Sequence, residues 1–402
     1  MVYKNAFFLF LMQGINYVAP LVLIPFYTNT LGVTDYANIA LWLAVIQFAY
    51  IITDFGFLSF ATKEIAAMSF DKIGISRFVS TVYGLKLFVF FFVSLCVIFY
   101  GIATGASMLV VVISISTIFC QCYQPIWFFH GVERMKSVAV YFSTAKLLYV
   151  VLAITFVSSD TKWFLVLELW FFSQFIAFCI SNYQYIEMGF KFNKPSLKEI
   201  LLLFNRSIHF FISRLSIASY TSLNVIILGF GTSHSSLASF AICDQLFKAG
   251  QSFTSPITQS LYPYLQRTKD WYIYIKMTLS SLFILIIGLV FFNYSYEFLF
   301  SFVFDNLPDD VINLVPVFLC LILINFLARN FGNPLFGPIN KLHVANNSVI
   351  IGAILHLGVV SILYLIGQLN AINLSYCVLF VEVIILFVRL FYLIKFRNLF
   401  KS

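Results

Sequence analysis

Charged side chains are scarce in this sequence. Only 10% of its 402 residues are Asp, Glu, Lys or Arg, where soluble domains carry roughly 25%. That scarcity excludes a water-soluble fold of this length, because too little polar surface exists to cover the rest. Cysteine occurs seven times, at Cys96, Cys120, Cys122, Cys179, Cys243, Cys320 and Cys377, always inside apolar stretches. Such an odd, scattered set argues against a disulfide framework. The five histidines show no ligand spacing, so Cys120-x-Cys122 reads as helix packing and no metal is expected. There is no Walker-A run, no dinucleotide glycine motif and no stretch that reads as a soluble domain. No cofactor is therefore expected, and any transport must run on a gradient or on the substrate's own free energy. The first apolar stretch follows Lys4 and runs to about Phe26 without a small-residue cleavage site. It exceeds the ~7–15 residues of a signal core and is expected to be a retained first span.

What is present is apolar and aromatic. Hydrophobic residues make up 61% and aromatics 19%, and the 50 phenylalanines outnumber the 24 basic and 16 acidic residues together. A helix needs ~20 apolar residues to cross the hydrocarbon core of a bilayer. Such segments fall near 8–30, 37–60, 79–100, 107–130, 140–158, 163–186, 207–230, 237–262, 273–296, 311–336, 347–367 and 373–394. The expected fold is an all-α polytopic membrane protein with twelve transmembrane helices.

Basic residues orient it. With the N-terminus inside, sixteen lie in internal segments, including four between Lys191 and Arg206, against Lys162 alone in an external turn. That asymmetry places both termini in the cytoplasm. The net charge of +8 is then an orientation signal facing anionic lipid, and no nucleic acid is needed to explain it. The longest polar interruption, 187–206, divides the chain into an N-terminal six-helix lobe (1–190), a cytoplasmic linker (191–206) and a C-terminal six-helix lobe (207–402). Six is even, so a repeat must be parallel. Gln124-Pro125-Ile126-Trp127 and Asn333-Pro334-Leu335-Phe336, each near the end of the fourth span of a half, are weakly similar.

Polar side chains inside apolar spans face other helices or water. Stripes occur at Gln13 and Asn16 in span 1, Gln121 and Gln124 in span 4, Tyr220 and Asn224 in span 7, and Asn325 and Asn333 in span 10. Their presence at equivalent spans favours a shared wet cavity over interhelical hydrogen bonding alone. Lys86, Lys146, Arg214 and Arg329 lie about 9–10 Å inside their spans at the helical rise, where they either line a lumen or partly snorkel. Lys248 is deeper, and Asp244 four residues before it makes a self-neutralising pair the simpler reading. Lys276 and Arg389 lie near span ends and are expected to snorkel. Asp54, Asp244 and Glu382 are the coupling candidates, with Glu382 nearest mid-span as a proton carrier. The cationic excess would attract an anion entering from inside.

Several motifs are familiar. Leu31-Gly32-Val33-Thr34-Asp35-Tyr36, Asp54-Phe55-Gly56-Phe57 with Ala61-Thr62-Lys63-Glu64-Ile65-Ala66, Trp127–Met135 and Leu261-Tyr262-Pro263 resemble segments of Wzx-type O-antigen flippases. These are polysaccharide transporters within the multidrug/oligosaccharidyl-lipid/polysaccharide exporter superfamily. The sequence departs from their pattern at Asn38 and His130. The resemblance implies a multidrug and toxic compound extrusion-like fold of two parallel lobes in a bacterial inner membrane, and alternating access. It implies as substrate an undecaprenyl-pyrophosphate-linked oligosaccharide, moved from the cytoplasmic to the periplasmic leaflet. The O-antigen polymerase and chain-length regulator are the implied protein partners. Arg214, Arg329, Lys248, Lys86 and Lys146 become the candidates for holding pyrophosphate. The rival is a multidrug or other small-molecule exporter of the same fold, whose cation site should be dominated by carboxylates. An enzyme is not expected, since every external turn is short.

The orientation is testable. In a cysteine-free background, Ser196→Cys and Lys269→Cys are expected to be shielded from an impermeant thiol reagent outside the cell, and Asp160→Cys and Asp309→Cys to be labelled. External labelling at position 196 would overturn the assigned topology.

Overall fold

A computed structural model of the chain describes residues 2–68 and 71–400; the side chains of 2–11, 13, 17, 253–260, 262, 263 and 400 lie outside the description. Regular structure among these residues is helical: α1 Val2–Leu31, α2 Val33–Asp54, α3 Phe57–Ala67, α4 Lys72–Ala103, α5 Met108–Cys122, α6 Ile126–Gly131, α7 Met135–Phe156, α8 Leu165–Glu187, α9 Leu197–Thr221, α10 Asn224–Leu228, α11 His234–Thr268, α12 Trp271–Val303, α13 Val311–Asn330, α14 Asn333–Phe336, α15 Leu342–Leu365 and α16 Ala371–Lys395. Ten helical stretches among the described residues are long and apolar enough to cross a membrane. The helices at expected spans 1 and 8, α1 and α11, include side chains outside the description and are not among the ten. The chain is a multi-pass membrane protein. Its outward faces fit lipid: Phe88, Phe91, Phe92 and Phe99 on α4 and Phe283, Ile287 and Phe291 on α12 are all exposed.

Local chemistry sets the helix ends. Asp71, Ser107, Ser233, Asp270 and Asn370 each accept a hydrogen bond from a backbone N–H in the first turn of α4, α5, α11, α12 and α16. A capping box opens α9, where Ser196 N donates to Glu199 Oε2 at 2.9 Å and Glu199 N to Ser196 Oγ at 3.3 Å.

Four expected spans are interrupted among the described residues, one of them between α9 and α10 at Ser222–Leu223. The α2–α3 break passes through Phe55 and Gly56, with φ of 51° and 74°; α5 gives way to α6 at Tyr123–Pro125, and α13 to α14 at Phe331–Gly332. The last two coincide with the similar Gln-Pro and Asn-Pro motifs. A break frees backbone carbonyls that lipid cannot satisfy, so it survives only where protein groups take them up.

The chain forms two compact units. The first comprises residues to Phe26 and Asn38–Ala218, the second Tyr27–Ala37 and Ser219 onward. In the first, α3 packs on α6 and α8 on α5 and α7, around Phe57, Phe60, Trp127, Phe128, Tyr141 and Tyr185. The segment after α8 lies against α4, with Lys191 N donating to Ser76 Oγ at 3.2 Å and Asn193 N to Ser80 Oγ at 2.8 Å. Residues 191–206 thus belong to the first unit, and α9 begins within them at Leu197. In the second unit α13 is packed by α11 and α16, and α15 by α16. The α1–α2 corner belongs to this unit, where Asn29 Nδ2 donates to Val303 O and Asn29 Oδ1 accepts from Asp305 N, both at 3.0 Å.

Gly56 is the tightest point of the α2–α3 break. A Cβ there would lie 2.8 Å from the carbonyl carbon of Phe210, at a φ of 74°. Gly56→Ala is expected to cost about 2 kcal/mol or more, combining left-handed strain with overpacking. Gly105, at φ 66° with open space around it, carries the strain alone, so Gly105→Ala should cost less. Thermal midpoints of the purified variants test this ordering, and equal midpoints would refute it.

Candidate functional site

The second unit holds a buried carboxylate. Glu382 on α16 is 2% exposed, and its Oε1 accepts from Asn325 Nδ2 of α13 at 2.7 Å. Asn325 Oδ1 accepts in turn from Gln251 Nε2 of α11 at 2.9 Å. Three helices are thereby joined through one polar chain. Arg329, half-buried on α13, and buried Arg389 lie within electrostatic reach of Glu382. Tyr220 is within reach of all three charged groups. Its carbonyl accepts from Asn224 Nδ2 at 2.9 Å.

Arg389 departs from expectation. It was expected to snorkel, yet it is 8% exposed. Its Nε donates to Ser348 Oγ at 2.9 Å, its Nη2 to Ala345 O at 3.3 Å, and its Nη1 to Ala328 O. The cause is the end of α13: its last carbonyls have no further helical donor, and a guanidinium complements both their charge and their geometry. Gly332 makes room, because a Cβ there would lie 2.8 Å from Nη1. Lys276, by contrast, is exposed.

The first unit has an equivalent device. Lys86 is 1% exposed, with Nζ donating to Cys122 O at 2.9 Å and lying 5.9 Å and 6.0 Å from the ring centroids of Phe57 and Trp127. Tyr123 O accepts from Tyr83 OH and Asn182 Nδ2, both at 3.0 Å. These side chains replace the helical donors lost where α5 ends. Gln124 Nε2 donates to Gln174 Oε1 at 3.1 Å. Two buried acceptors, Asp54 Oδ1 and Gln121 Oε1, have no protein partner among the described residues. Asp54 and Lys86 both lie within electrostatic reach of Cys122.

The other expected residues scatter. Lys146 Nζ sits 4.8 Å from the Trp170 ring centroid. Lys248 Nζ pairs with Asp244 Oδ2 at 2.6 Å. Arg214 is exposed on α9, Asn333 is exposed, and Asn16 is half-buried. The side chain of Gln13 lies outside the described residues. Sequence reasoning missed Gln251 and Gln174. Gln251 was findable, because Asp244, Lys248 and Gln251 fall at i, i+4 and i+7 on one helical stripe.

A family model described as polysaccharide biosynthesis protein matches residues 2–269. The chain belongs to this family. Among curated relatives, a Shigella dysenteriae protein provisionally named an O-antigen transporter is 28% identical over 284 residues, covering 67% of this chain and 68% of its own. An Escherichia coli K12 protein of the same provisional name is 26% identical over 275 residues, covering 66% of this chain and 65% of its own. The match thus spans about two thirds of each relative's length. Among solved structures, the lipid II flippase MurJ in an inward closed conformation superposes with TM-score 0.69 at 10% identity, covering 98% of this chain and 87% of its own. An inward-facing multidrug resistance MATE family transporter superposes with TM-score 0.68 at 12% identity, covering 96% and 98%. This polysaccharide biosynthesis family member therefore has the MATE-like fold that the motifs implied, and its resemblance to Wzx-type transporters holds.

The reassigned role of Arg389 in this family member is testable. Arg389→Ala removes three charged hydrogen bonds from the unit's interior and should cost several kcal/mol, since such bonds are worth about 1.5–3 kcal/mol each. Lys276→Ala should be near neutral. Membrane abundance and thermal midpoint decide the matter, and an Arg389→Ala protein as stable as Lys276→Ala would show that the guanidinium does not hold the end of α13.

Proposed function

We propose that this protein is a flippase. It turns an undecaprenyl-pyrophosphate-linked O-antigen repeat from the cytoplasmic to the periplasmic leaflet of the bacterial inner membrane, for lipopolysaccharide O-antigen biosynthesis. The family match carries the reading, and the two relatives named as O-antigen transporters support its substrate class. The fold likeness to a lipid II flippase is compatible with it. In this reading the chain performs no covalent chemistry, works by alternating access and keeps both termini in the cytoplasm. The O-antigen polymerase and chain-length regulator act beside it on the same substrate.

Residue roles follow from accessibility. Arg214 is exposed and Arg329 half-buried, so both can meet a pyrophosphate, where a guanidinium can bind through two parallel hydrogen bonds. Lys86 and Arg389 are committed to helix ends, and Lys248 to Asp244. Glu382 is the coupling candidate in the second unit and Asp54 in the first. Each is a buried carboxylate that a proton or small cation would neutralise.

Loss of the protein should leave single lipid-linked repeats on the cytoplasmic side and no long surface polymer. Single repeats on surface lipid would instead place the defect in polymerisation. Arg214→Ala and Arg329→Ala should each cut transport about ten- to a hundred-fold, with partial recovery in Arg→Lys, since ~1.4 kcal/mol is a factor of ten. Full-length polymer from both alanine variants at normal membrane levels would sink the role of these arginines.

A further inference from the structure

A cavity of about 200 Å³ lies between α4 and α9 in the first unit, lined by Arg77, Phe78, Glu199, Leu202 and Arg206 among others. We propose that it seats the phosphodiester head group of an anionic phospholipid, a site that goes beyond the flippase reading and does not depend on it.

The donors are in place. Arg77 Nε is held by Glu199 Oε1 at 2.5 Å and Arg206 Nη2 by Glu64 Oε2 at 2.6 Å. Among the described residues, Nη1 and Nη2 of Arg77, and Nε and Nη1 of Arg206, have no protein acceptor. The two carboxylates fix the guanidinium planes and leave donors open to a bidentate oxygen ligand. Exposed pairs of this kind contribute only about 0–1 kcal/mol, so sharing a guanidinium with phosphate costs little. At about 30 Å³ per water, the cavity has room for a phosphate group and its shell.

The surroundings favour a lipid over a soluble phosphate. Ile73 on α4 is 82% exposed, and Leu197, Leu201 and Leu202 on α9 are 69%, 64% and 61% exposed. These residues flank the arginines and offer apolar surface along which acyl chains can lie. Counting the neighbours in sequence, Lys63, Lys72, Arg77, Lys198 and Arg206 outweigh Glu64, Asp71 and Glu199. Basic pockets at the membrane interface are the general form of anionic head-group sites. The first turn of α9 supplies Glu199 both as the helix cap and as the arginine clamp, so the site is built into the start of the helix.

The test uses the purified full-length chain, delipidated in detergent, with lipid retention read by native mass spectrometry. Wild type should retain phosphatidylglycerol in preference to phosphatidylcholine. Arg77→Gln and Arg206→Gln should each weaken that retention roughly ten-fold, the equivalent of ~1.4 kcal/mol. Glu199→Gln should strengthen it by freeing the Arg77 guanidinium, an effect opposite in sign to any loss of stability. Gel filtration confirms that each variant is monodisperse, and the Arg77→Gln/Glu199→Gln pair serves as a charge-balanced variant should a single change misfold. Equal retention of the two lipids, or arginine variants that retain phosphatidylglycerol like wild type, would overturn the proposal. Retention of farnesyl diphosphate without phosphatidylglycerol would overturn it as well, assigning the cavity to a prenyl pyrophosphate.

Discussion

Hydrocarbon offers no hydrogen bonds, and most of what is unusual in this protein follows from that. A continuous helix satisfies its own backbone, but α5 and α13 stop inside the expected spans, and their last carbonyls need donors. In the first unit these come from Lys86, Tyr83 and Asn182. In the second they come from Arg389 on Ala328 O and Tyr274 OH on Asn330 O. Each unit uses one buried cation at a helix C-terminus, where the dipole favours positive charge. The two cations come from different helices, α4 and α16, so the units share the physical solution and not the residue that provides it.

This changes how the intramembrane charges are counted. Read as a list, Lys86, Lys146, Lys248, Arg214, Arg329 and Arg389 suggest a uniformly cationic interior. The structure divides them by the partner each has. Lys86 and Arg389 serve helix ends, Lys146 lies over the Trp170 ring, and Lys248 neutralises Asp244. Of the expected phosphate-binding residues, Arg214 is exposed, Lys146, Lys248 and Arg329 are half-buried, and Lys86 is buried. A cation deep in a span is therefore weak evidence for substrate binding until the backbone carbonyls around it have been accounted for.

The class of fold was legible because it rests on composition and segment length, which lipid thickness enforces on every span. The start of α9 was legible in principle, since Ser196 and Glu199 spell a capping box ahead of an apolar run. The breaks were only half legible. Gln124-Pro125 and Asn333-Pro334 drew notice as a repeat, yet hydropathy reads through them because the residues on either side are still apolar. The partners of the breaks were not legible at all. Tyr83 and Tyr123, or Arg389 and Ala328, are brought together by tertiary packing, and sequence periodicity carries no information about which carbonyl a distant side chain will meet. The same limit explains the error on Arg389. Its distance from the span end permitted snorkelling, but Ala328 O at the end of α13, with Ser348 Oγ and Ala345 O on α15, takes up the guanidinium inside the unit.

The polar chain from Gln251 through Asn325 to Glu382 has a different character from these fixed ends. Backbone carbonyls and the Ser348 hydroxyl do not change charge, so the acceptors of Lys86 and Arg389 are not titratable carboxylates. A carboxylate does change. Asn325 satisfies one oxygen of Glu382 with a neutral donor, while the Arg389 guanidinium donates to Ser348 and to two carbonyls, not to the acid. No cation among the described residues therefore bonds the acid directly. Neutralising it would shift the electrostatics felt by Arg329 and Tyr220 and alter the chain linking α11, α13 and α16, while the cation at the end of α13 kept its own bonds. In the proposed transport cycle, that separation would let the second unit respond to a coupling ion without losing the contacts that satisfy its broken helix.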